Sequence, residues 1–158
     1  MTTIDDIPVA HTPPGGYGDT MPAPILGGCD DPLVDGAPDL RGTWLAVEAF
    51  GDDGAPLPDD HPIRRHVERI EQAGPRVVVT AGGVVHDMVA DGTLEHGVHD
   101  VAAANGAEIH VVAAFEDGAL VLRPDGLPGV EVRRHREGDR LVWRYHTLFT
   151  VHLERTDA

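Results

Sequence analysis

Lysine is absent from this chain: all twelve basic residues are arginine, set against 27 acidic ones. The net charge of −15 argues against a protein that binds a phosphate backbone. Aromatic residues make up only 4%, too few for a surface that stacks nucleobases. A single cysteine, Cys29, excludes an internal disulfide and a zinc site built on several thiolates. No apolar run approaches the roughly 18 residues that a membrane helix needs. The opening residues show neither the basic nor the apolar region of a secretory signal, so a reducing cytoplasm is the expected compartment. Also missing are a glycine-rich phosphate loop, a Gly-x-Ser-x-Gly elbow and a His-Glu-x-x-His pair. No cofactor follows from any motif. A chain of 158 residues with 41% hydrophobic content nevertheless holds enough apolar material for one domain with its own core.

Two compositions divide the chain. Residues 1–38 carry seven of the thirteen prolines and two Gly-Gly pairs, with no period of 2 or 3.6. This reads as a Pro/Gly-rich N-terminal arm. Residues 1–20 are expected to contribute little to the fold. Residues 24–38 are expected to touch the body through Ile25, Leu26, Leu33 or Val34, or to meet a second subunit, which leaves a homodimer open. Residues 39–158 form the expected body. There, short Val-rich runs alternate with Gly-containing turns such as Gly82-Gly83, Asp91-Gly92, Asn105-Gly106 and Asp117-Gly118. Glycine after Asn or Asp supplies the positive φ of tight hairpins. Turn signals every 8–12 residues without crossover helices predict an all-β, antiparallel up-and-down barrel of about 8–10 strands.

One segment competes with that pattern. Ile63, Val67 and Ile70 stand at helical spacing, with Asp60 as an N-cap and Gly74-Pro75 as a stop. However, the run 76–80 needs a hairpin partner, and Ala73-Gly74 supplies the turn. A strand over about 66–72, preceded by a short helical turn near 60–65, satisfies both signals.

Gly42-Thr43-Trp44 opens the first strand, and Arg155 closes the last. This pairing resembles the calycin superfamily of lipocalin and fatty-acid-binding barrels. In that superfamily the tryptophan of Gly-x-Trp plugs one barrel end beneath a late basic residue. The resemblance spans about residues 42–156. It implies that Trp44 is buried, with the Arg155 guanidinium within about 6 Å of its ring. The second lipocalin turn signature is missing, as are the disulfides of secreted members. The stretch from Pro32 to Trp44 also resembles uncharacterised actinobacterial proteins, which implies no activity.

Strand parity selects the candidate site. The large residues on one face are Met88 with His86, Phe115 with Ala113, and Tyr145 with Trp143. A ligand cavity bordered by His86, Met88, Phe115, Trp143 and Tyr145 is therefore expected, with His86 as its polar anchor. The expected partner is a small apolar molecule, with no nucleic acid and no membrane. Two other uses stay open. A small enzyme of cyclase or isomerase type would work an interior histidine against a carboxylate, for which Glu48 and Asp87 are candidates. A haem barrel resembling nitrobindin would use His152 as axial ligand, but His152 has the opposite parity to Phe149, Val151 and Leu153. Ten histidines are present, and His96-x-x-His99-Asp100 and His86-Asp87 have the chemistry of metal ligands. Residues i and i+3 of a strand point to opposite faces, so no metal site is expected unless Gly97 makes a bulge.

Overall fold

The computed structural model describes residues 3–102 and 108–156, with the backbone alone for 99–102. Among these residues ten strands follow one another: β1 (Gly42–Gly51), β2 (Val67–Ala73), β3 (Arg76–Ala81), β4 (Val84–Val89), β5 (Val98–Ala102), β6 (Glu108–Glu116), β7 (Ala119–Pro124), β8 (Val132–Glu137), β9 (Arg140–Tyr145) and β10 (Phe149–Arg155). They form one antiparallel meander in which β1 pairs with both β2 and β10. The sheet thereby curls until its two outer strands, β4 and β5, meet. A Val89 N–H donates to the His96 carbonyl at 2.9 Å, and Asp91 bridges to Ala114. The barrel is nearly closed, which leaves little free edge. The contested segment resolves into a 3₁₀ turn at Pro62–Arg65 followed by β2. Asp117 and Gly118, at φ 51° and 77°, turn the β6–β7 hairpin. The expected Asn105-Gly106 turn lies outside the described residues.

The plugged end is built from the two chain segments that flank the barrel. Trp44 is fully buried, and its indole N–H donates to the Leu40 carbonyl at 2.9 Å. The guanidinium carbons of Arg155 and Arg136 lie 5.0 and 5.4 Å from its ring centre. Gly42 makes this possible: its φ is +138°, and a Cβ there would stand 3.1 Å from the Arg155 Nε. The glycine of Gly-x-Trp is thus the space into which the arginine folds.

The first 20 residues do not hang free. Every residue of β3 is buried, although one of its faces points away from the barrel. The arm covers that outer face. Arg76 donates from Nη1 to the carbonyls of Ile4 and Ile7 and from Nη2 to that of Pro8, at 2.7–2.9 Å. It also pairs with Asp87, which accepts from the Ala10 N–H at 2.9 Å as well. Leu26 packs with Ala73, Val78 and Val85 in a second core, joined by Ile4, Ile7 and Ile25. Leu33 is half-buried, whereas Val34 is exposed. The expectation that residues 1–20 contribute little is corrected here. Its error was to equate lack of periodicity with lack of contacts. An irregular segment has no repeating pattern, but its carbonyls still need donors, and one buried arginine supplies three.

Candidate functional site

The inward face of the barrel holds a cavity of about 400 Å³ on the side away from Trp44. Its wall is mostly apolar: Val79, Met88, Val98, Val111, Leu122 and Trp143 among others. Val84 and Tyr145 line it too and are partly exposed, which marks the mouth. Register explains the grouping. Directly opposed residues of an antiparallel pair share a face, and Val79 faces His86, Val77 faces Met88, Val132 faces Tyr145 and Arg134 faces Trp143.

Of the five residues expected to line a site, His86, Met88, Trp143 and Tyr145 border this cavity. Phe115 shares the inward face of β6 but packs against the apolar core instead of lining the cavity. Sequence reasoning missed the polar centre of the wall. Glu68 on β2 has no exposed surface. It accepts from the Arg134 guanidinium at 2.8 and 3.2 Å, and its Oε1 lies 2.7 Å from His66 Nε2. Both Arg134 and His66 line the cavity. Burial alone would raise the Glu68 pKa. The charge of Arg134 and hydrogen bonds from His66 and Arg134 outweigh burial and lower it from 4.5 to about 2. Glu68 is therefore a carboxylate at neutral pH and can only accept, so His66 Nε2 must carry the proton. In the neutral ring Nδ1 is then an acceptor, and it makes no hydrogen bond among the described residues. The indole of Trp143 lies between these groups, with its ring centre 4.4 Å from His66 and 5.0 Å from the Arg134 guanidinium carbon. Its N–H is buried without a partner among the described residues. The signal for this cluster was present in the sequence: Glu68 alternates with Ile70 and Arg134 with Val132, so both occupy inward positions. Charged residues are rarely placed there unless paired.

The other candidates lie elsewhere. Glu48 is shifted by a β-bulge between Ala46 and Glu48, which breaks the parity set by Trp44 and Ala46. It is half exposed and pairs with Arg140 outside the barrel. Asp87 is buried, but on the outer face beneath the arm with Arg76. Neither carboxylate can serve cavity chemistry. His152 also stands on the outer face, edge-on to Phe50 with ring centres 5.6 Å apart, and does not line the cavity. The register irregularity of β5 lies between Val98 and Val101 and not at Gly97. Gly97 instead lets the backbone pass close to β6, since a Cβ there would fall 1.8 Å from the Val111 carbonyl oxygen. His96 pairs with Asp91. The side chains of His99 and Asp100 lie outside the described residues. Among the described residues no three His, Cys, Asp or Glu side chains gather as a metal-binding group.

The meander, its closure through β1 and β10, the tryptophan plug and the internal cavity together define a calycin-like barrel of the fatty-acid-binding kind. Among solved structures, human cRBP IV, a cellular retinol-binding protein, is similar: its TM-score is 0.54 at 16% identity, covering 75% of this chain and 98% of that one. At that identity the likeness speaks for the fold alone. No family model matches the chain, and no curated protein matches it.

Proposed function

We propose that this protein binds a small apolar molecule carrying one polar group, held inside the barrel against His86, Met88, Trp143 and Tyr145. The observation that carries this reading is the cavity of about 400 Å³, whose apolar wall is interrupted by the Glu68–Arg134–His66 cluster. A fully packed core would have closed such a space, since each buried void forfeits contact energy. Size and wall chemistry match those of small-ligand sites in general. A reducing compartment, the cytoplasm, suits the single free cysteine.

Nile red, a neutral apolar dye, tests the reading directly. Bound dye should brighten and quench Trp143, and replacing Trp143 with Phe should remove most of the tryptophan response. If no apolar probe binds at high micromolar concentration, the reading fails. Native mass spectrometry of the purified protein would weigh any molecule retained in the barrel.

One specific arrangement favours a second reading, an acid–base enzyme: an interior histidine whose tautomer is set by a buried carboxylate. Under that reading, wild-type protein and a His66→Gln variant exposed to the same extract would retain different molecules, product and substrate. Recovery of one and the same molecule from both removes the enzyme reading.

A further inference from the structure

The cavity contains a guanidinium, yet its charge is already spent. Arg134 gives its Nε and one Nη2 hydrogen to the two oxygens of Glu68, in the two-pronged geometry that arginine favours with carboxylates. Both side chains are almost wholly buried, Glu68 at 0% and Arg134 at 6% exposure. The Arg134–Glu68 pair therefore sums to zero charge. A second carboxylate arriving beside it would bring an uncompensated negative charge into an apolar wall, within reach of the Glu68 oxygens. Such a charge is costly to bury.

What the cluster does offer is hydrogen bonding. His66 Nδ1 is an acceptor in the neutral ring. Arg134 retains N–H groups beyond the two that Glu68 takes, and the Trp143 N–H in the same wall lacks an acceptor. A hydroxyl both donates and accepts, so it can meet the histidine and the guanidinium at once. A carboxylate can only accept. We propose that the barrel selects amphiphiles with an uncharged, hydroxyl-type head and rejects the fatty acid of equal chain length, because Glu68 has already neutralised Arg134. This selection rests on the binding role proposed above.

The test compares decanol with decanoate as competitors of Nile red, at about pH 8, where an ordinary histidine is neutral and the acid is ionised. Wild-type protein should bind decanol at least about tenfold more tightly than decanoate. Replacing Glu68 with Gln releases Arg134 and should strengthen decanoate binding about tenfold or more, so that the preference narrows or reverses. The double variant Glu68→Gln/Arg134→Gln should lose that gain, since no free guanidinium remains. Wild-type protein that binds decanoate as tightly as decanol overturns head-group selection while leaving the binding role standing. Failure of Nile red to bind at all overturns both. If circular dichroism shows the Glu68 variants unfolded, the wild-type ratio alone decides the matter.

Discussion

Glu68 sits across from Trp44 in the β1–β2 register, between the plug and the cavity floor, and its carboxylate has no water to turn to. Removing its partner should therefore be worse than removing both. Arg134→Met leaves the buried carboxylate without its guanidinium, held by His66 alone, and is expected to cost about 3–5 kcal/mol. Replacing Glu68 and Arg134 together with residues of similar volume is expected to cost far less. Urea denaturation of the two variants measures the difference. The same carboxylate makes stability depend on acid. Its pKa is lowered to about 2 in the folded protein, so its contribution is complete above the ordinary glutamate range. That contribution fades as pH falls from about 4.5 toward 2, where the folded protein must also take up the proton. The acid arm of a thermal-stability profile should be shallower in a folded Glu68→Gln variant. An unchanged slope would assign acid sensitivity to other carboxylates.

At the scale of elements, the arm and the β4–β5 seam carry the sharpest expectations. Deleting residues 1–20 strips Arg76 of its three carbonyl acceptors and Asp87 of the Ala10 N–H, and uncovers Val78 and Val85. A loss of several kcal/mol is expected, which for a domain of this size corresponds to a midpoint lowered by about 10 °C or more. A shift of only a few degrees in calorimetry would mean that water replaces the arm at little cost. At the seam, Gly97 admits no side chain because the Val111 carbonyl occupies the space. Gly97→Ala should push β5 away from β6 and open amide exchange across that pair, measurable by hydrogen–deuterium exchange. Wild-type protection in that variant would show that the strand relaxes around a methyl group.

For the whole molecule, alternation along the strands and the placement of Gly-containing turns were enough to specify an antiparallel barrel. Side-chain period and turn chemistry are local properties, so the residues themselves dictate them. Trp44 and Arg155 are more than a hundred positions apart, yet strand order alone brings them together, because a closing meander pairs its first strand with its last. The inward placement of His86, Met88, Trp143 and Tyr145 follows from the same parity. Parity failed at Glu48, where one inserted residue in β1 turned the side chain outward, and nothing local to that residue announces the bulge. The parity that points His86 and Met88 inward puts Asp87 on the opposite face of β4, but alternation could not show that this face is also buried, because what covers it is the irregular arm. The cluster of Glu68, Arg134 and His66 joins β2 to β8 across the barrel interior. Only closure of the sheet brings those side chains within hydrogen-bonding distance, and only burial makes each one require the others. Local sequence thus determined which way the strands alternate and where they turn. Tertiary structure decided which charges meet inside, because pairing a buried charge depends on the distance between groups that the chain keeps far apart.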